Sequence, residues 1–173
     1  MNVGEINLDF ICHPYNQPII KLEEYMDLIN KIIYNLTQVH PLHTLIVHFP
    51  IALISSASFF MLLALLRRSD LLEKIAFANL SLATVGTLVA GITGMMDNVK
   101  TYSGDAPNAG VKITLASILL LLTAATVLIR WRNPQLFHAA PAKKILYISA
   151  YVVSFVLVSV LAFLGGIIVY GFQ

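Results

Sequence analysis

The hydrophobic and polar positions along the chain fall into two regimes. Within "PIIKLEEYMDLINKIIYNL", Leu22, Met26, Ile29, Ile33 and Leu36 recur at helical spacing, while Lys21, Glu24, Asp27 and Lys31 occupy other faces. That pattern predicts an amphipathic helix too polar to span a bilayer. Further on, polar positions thin out into four long apolar runs: Leu42 to Leu66, Ile75 to Met96, Ile113 to Ile129 and Ile145 to Tyr170. A hydrocarbon core of about 30 Å takes roughly 20 helical residues to cross. Each run is therefore expected to be a membrane span. The third is the shortest, and it is expected to extend past Lys112, whose long side chain can snorkel to the interface.

Short polar segments, "RRSDLLEK", "DNVKTYSGDAPNAGVK" and "RWRNPQLFHAAPAKK", separate the spans. Asp70 and Glu73 have capping-box spacing at the start of the second span. Pro41 and Pro141 suit first-turn positions of the first and fourth. The expected architecture is an all-α bundle of four transmembrane helices, residues 40–173, preceded by an N-terminal segment, residues 1–39, that carries the amphipathic helix.

Composition agrees. Of 173 residues, 58% are hydrophobic and only 12% charged, too little polar surface for a soluble domain of this length. The net charge of +2 gives no reason to expect a nucleic-acid partner. The single cysteine, Cys12, excludes an intrachain disulfide. The start, "MNVGEINLDFICHPYN", lacks a basic region followed by an apolar one, so no cleavable signal peptide is expected.

Charge also predicts orientation. Arg67, Arg68, Lys74, Arg130, Arg132, Lys143 and Lys144 lie on one side of the expected bundle, against Lys21, Lys31, Lys100 and Lys112 on the other. The positive-inside bias then puts both termini outside, with Trp131 as an inner-interface anchor. The expected setting is the cytoplasmic (inner) membrane of a prokaryote. The acidic face of the amphipathic helix disfavours anionic lipid, so its expected contact is another protein subunit.

Candidate chemistry concentrates in "HPLHTLIVHFPIAL", residues 40–53, with three histidines in nine positions. With a helix starting near Pro41, His48 lies roughly 10 Å along the axis. A histidine at that depth is expected to face the bundle, where its ring nitrogens can find partners. Pro50, two residues on, removes a backbone donor and crowds the carbonyl of Ile46. The second span ends in "AGITGMMDN", bringing Gly91, Gly94, Met95, Met96 and Asp97 to the same half as His48, with Lys112 and Tyr170 at similar depth. Asp97 is a candidate acceptor for a histidine. Gly86, Ala90 and Gly94 form a small-residue ridge that suits either close helix packing or a flat ligand such as haem or quinone.

Haem b ligation by one chain is constrained. His43 and His48 lie about 140° apart on one helix and cannot readily sandwich a ring. His48 with Met95 or Met96, or His48 from each of two chains, are the remaining pairings. His40, His43 and the Cys12-His13 pair match no specific metal template. No nucleophile–base pair or phosphate loop supports an enzyme.

The stretch "HPLHTLIVHFPIAL", the arginine pair and the later "GITGMMD" resemble a family of small prokaryotic membrane proteins of unknown function. Its hallmark reads H-P-L-x-V-H-F-P-I-A-L, followed by a T-G-x-x-D element closing the second helix. By position, His43, His48, Phe49, Pro50 and Asp97 match that hallmark. Thr44 stands where relatives usually have proline, and Lys112 near where they often have histidine. The resemblance spans roughly Val39 to Arg132 and leaves open the fourth span. It implies a four-helix fold and an occasional association with cytochrome-type proteins. The function expected from these features is a non-catalytic accessory subunit of a larger electron-transfer or bioenergetic membrane complex. The alternative is a small redox protein binding haem b or quinone through His48.

Overall fold

A computed structural model describes residues 17–34 and 42–170. These residues are helical almost throughout, with no strand among them, as the apolar pattern predicts. They fall into two units: an N-terminal helix, and a bundle starting at Leu42.

The N-terminal helix, α1 (Gln17–Tyr34), carries the expected apolar stripe of Leu22, Met26, Ile29 and Ile33. Every one of its described side chains is exposed, apolar ones included. Lys31 and Asp27 pair one turn apart at 2.7 Å, and this contact raises the pKa of the Lys31 ammonium. Leu36 and Pro41 lie outside the described residues.

The bundle contains α2 (Leu42–Arg67), α3 (Asp70–Tyr102), α4 (Ala109–Arg132) and α5 (Pro141–Tyr170). Each is long and apolar enough to cross a membrane. The shortest, α4 with 24 residues, is about 36 Å long at 1.5 Å per residue. It starts three residues before Lys112, so the shortest apolar run reaches across by extending at that end. Helix α5 begins at Pro141, where a proline's missing N–H costs no hydrogen bond.

Two residues, Arg68 and Ser69, join α2 to α3, so these helices must run antiparallel side by side. Arg68 takes a left-handed conformation (φ 49°) to make the turn. The cap of α3 is Ser69, whose Oγ accepts the Leu72 N–H at 3.5 Å. The expected Asp70–Glu73 capping box is thus displaced by one residue, and the Glu73 carboxylate is used elsewhere. Between α3 and α4, the Asn98 side chain organises the turn. It donates to the Gly104 carbonyl at 3.1 Å and accepts the Ala106 N–H at 3.0 Å. Gly104 there has φ 93°, which favours glycine.

Helices α2, α3, α4 and α5 pack in a ring, each on its chain neighbours, and α5 closes back on α2. The most extensive pairing is α2 with α3. Its buried stripe is Ile54, Ala57, Met61 and Ala64 against Ala76, Leu80, Ala83 and Ala90. Alanine at more than half of these positions lets the backbones approach closely, which is how helices gain packing energy where lipid and core are equally apolar. Leu119 and the α5 stripe of Tyr147, Tyr151 and Val158 complete the core. At the basic end, a short 3-10 turn (Leu136–His138) tucks Leu136 and Phe137 into the bundle as a plug.

Candidate functional site: polar clusters at the two ends of the bundle

The first cluster lies where α2 begins and α3 ends. The His43 N–H donates to Asp97 Oδ2 at 3.2 Å. His43 is the second residue of α2, and the first N–H groups of a helix have no partner within it. Asp97 supplies that partner from a neighbouring helix and sets a negative charge at the positive end of the α2 dipole. The His43 ring is half-buried, with Nδ1 3.4 Å from Thr93 Oγ1. It lies against Gly94: a Cβ there would stand 3.0 to 3.3 Å from three ring atoms. Asp97 and Lys112 are the opposing charges acting on this ring.

His48 is placed differently from the sequence expectation. It is exposed on the outward side of α2, and Nδ1 bonds the carbonyl of Thr44 one turn back. The reason is helical periodicity. His43, Pro50, Ile54, Ala57, Met61 and Ala64 follow a seven-residue stripe that faces α3, and His48 lies about 140° from His43. The polar group that enters the bundle is therefore His43. Asp97, expected from the sequence to lie opposite His48, instead accepts the backbone N–H of His43.

The ridge on α3 is filled by α2. A Cβ at Gly86 would meet Phe49 at 3.1 Å and Pro50 at 3.5 Å, and Ala90 is buried. Gly86 and Gly94 thus serve close packing, whereas Gly91 faces open space. Met95 and Met96 are both exposed, on the outside of α3. His40, Cys12 and His13 lie outside the described residues. Among the described residues no three histidine, cysteine or acidic side chains gather as a metal site would require.

The second cluster, at the opposite end, lies outside the sequence expectations. Arg130 on α4 makes two parallel hydrogen bonds to Glu73 on α3, Nε to Oε1 at 2.7 Å and Nη2 to Oε2 at 2.9 Å. Both residues are buried, Glu73 to 2% exposure and Arg130 to 8%. The Tyr147 hydroxyl donates to Glu73 Oε1 at 2.7 Å and meets the Tyr151 hydroxyl at 2.9 Å. Ser58 on α2 then donates to the Tyr151 carbonyl at 3.0 Å. One chain of contacts thereby ties all four helices. The Arg130 guanidinium also sits 5.4 Å from the centre of the Phe77 ring. A cavity of about 290 Å³, lined by Asp70, Glu73, Lys74, Arg130 and His138 among others, adjoins the pair. At its rim, His138 Nε2 lies 2.8 Å from Asp70, fastening the α4–α5 connection to the start of α3.

The sequence does carry a signal for this cluster, masked by simpler local explanations. Glu73 suits a cap position, and Arg130 suits the inside-positive charge. Tyr147 and Tyr151, one turn apart on an apolar helix, are the cue, because a buried tyrosine hydroxyl usually finds a partner.

Fold and clusters together define a four-helix membrane protein braced by polar contacts at both ends. Over residues 39–173 the chain matches the family described as "Predicted membrane protein (DUF2231)", and it belongs to that family. The match includes α5, the span that the resemblance left open. No curated protein and no solved structure matches the chain.

Proposed function

We propose that the protein is a non-catalytic accessory subunit of a larger membrane assembly, seated in a prokaryotic inner membrane with both termini outside. In this reading its partner covers the His48 face of α2. The observation that carries it is the outward position of His48 within a membrane span, with Nε2 unpartnered among the described residues. An imidazole nitrogen facing hydrocarbon is costly, and such groups face protein or water. The exposed apolar side chains of α1 support the same reading, since Leu22, Met26 and Ile29 also need a cover. The link to electron transfer rests on the family resemblance. Residues 1–39 would form the extracytoplasmic contact segment, and 40–173 the membrane domain.

A photo-crosslinking residue at position 48 tests this in native membranes. Discrete protein adducts are expected from position 48 and none from Leu121, an exposed apolar position on α4. Lipid adducts alone from both positions would overturn the proposal.

The same outward His48 also favours the two-chain form of the redox reading, in which each of two copies offers Nε2 to one haem b. A visible spectrum of protein purified from native membranes decides it: a Soret band is required. Quinone as the ligand is tested by lipid extraction and mass spectrometry of the same sample.

A further inference from the structure

We infer that the groove between α4 and α5 at the basic end of the bundle binds one anionic phospholipid. The groove has a volume of about 780 Å³, within the roughly 300–1,000 Å³ of typical ligand pockets. Its walls are apolar: Leu122 and Ile129 on α4 face Leu146 on α5. Ala125 and Ala150 also line it, and neither carries a side chain long enough to fill the gap. This apolar part runs along two membrane-spanning helices, where a lipid acyl chain lies.

The mouth has the opposite character. Arg132 and Lys143 stand there beside the Asn133 amide, and no carboxylate lines the groove. Neighbouring cations are already engaged. Arg130 is held by both oxygens of Glu73, and Lys144 lies 4.6 Å from the centre of the Phe137 ring. Arg132 and Lys143 have no acidic partner among the described residues, so two positive charges are left for a ligand phosphate.

The level in the membrane fits as well. Trp131, next to Arg132, is 74% exposed, and tryptophan favours the headgroup region. Apolar walls leading up to paired cations at headgroup depth match a glycerophospholipid end to end. Basic pockets between transmembrane helices recognise anionic headgroups in this way. A free phosphate would satisfy only the mouth and leave the apolar walls unused.

Trp131 is the only tryptophan in the chain, so its fluorescence reports on lipid held next to Arg132, at the groove mouth. The full-length protein is reconstituted in phosphatidylcholine vesicles containing a small fraction of lipid with brominated, quenching acyl chains. Brominated phosphatidylglycerol is expected to quench Trp131 at a lower mole fraction than brominated phosphatidylcholine. The preference should fall roughly fivefold for each of Arg132→Gln and Lys143→Gln. Arg67→Gln with Arg68→Gln, on the other basic connection, should leave it intact. Ala150→Phe, which fills the groove without changing charge, should weaken it, and added inorganic phosphate should not. Equal quenching by the two lipids overturns the inference. So does an equal loss from the Arg67/Arg68 variant, which would mark a general surface-charge effect.

Discussion

Arg130 and Glu73, 57 positions apart in sequence, meet through two parallel hydrogen bonds of 2.7 and 2.9 Å inside a bundle made almost wholly of apolar side chains. Neither charge is tolerable there without the other. Removing one partner of a buried pair costs about 3–5 kcal/mol, whereas replacing both by apolar residues is often close to neutral. Arg130→Met and Glu73→Leu are each expected to lower the thermal unfolding midpoint sharply in a fixed detergent. The double variant should recover much of the loss. Additive losses would show that the two residues act independently.

Gly91 and Gly94 lie on the same helix but in different surroundings. A methyl group at Gly94 would press on the His43 ring, while one at Gly91 would meet nothing within 4 Å. Overpacking costs about 1–3 kcal/mol, and alanine in a helix gains up to about 1 kcal/mol over glycine. Gly91→Ala should therefore be neutral or stabilising and Gly94→Ala destabilising. Adding His43→Ala should shrink the cost at Gly94. Thermal melts that rank Gly94→Ala above Gly91→Ala would contradict the packing described.

Asp97 acts as a cap for α2 supplied from α3. Its replacement by alanine leaves the His43 N–H without an acceptor, a loss of about 0.5–2 kcal/mol by analogy with ordinary capping residues. Replacement by asparagine keeps an acceptor and removes the charge, so Asp97→Asn should cost less, about 0.3–1 kcal/mol. Hydrogen exchange at the first turn of α2 reads this directly. Faster exchange is expected in Asp97→Ala and intermediate exchange in Asp97→Asn.

Ser154, one turn beyond Tyr151, is 1% exposed, and its hydroxyl has no partner among the described residues. An unpaired buried hydroxyl carries its desolvation cost with no return. Ser154→Ala is expected to leave stability unchanged or to raise it. Ser58→Ala should lower it by about 0.5–1.5 kcal/mol, because that hydroxyl bridges α2 to the Tyr151 carbonyl. Comparing the two melting curves separates a hydroxyl that bridges helices from one that does not.

The two ends of the bundle are legible in the sequence to different degrees. At the histidine end, His43, Gly94, Asp97 and the Gly86–Ala90–Gly94 ridge are in view, and Thr93, beside the His43 ring, is not. Depth alone misleads there, because it makes His48 look like the inward histidine. The stripe through Pro50, Ile54, Ala57, Met61 and Ala64 holds the correction, but alanines and leucines on all sides of α2 blur it. At the basic end, Glu73 and Arg130 each have a sufficient local explanation, so nothing in their neighbourhoods points to a partner on another helix.

The sequence by itself determined the number of spanning helices, the separate N-terminal amphipathic helix and the clustering of positive charge at one end. The reason is that a hydrocarbon core forces every backbone polar group to bond within its own segment, so length and apolarity suffice to mark a span. Only the tertiary structure decided which face of each helix turns inward, and hence that His43 is covered, His48 is outward and Glu73 pairs with Arg130. Lipid is as apolar as the protein core, so hydrophobicity along a spanning helix does not distinguish its two sides. That choice is made by the fit of small side chains and by polar groups finding one another across the bundle.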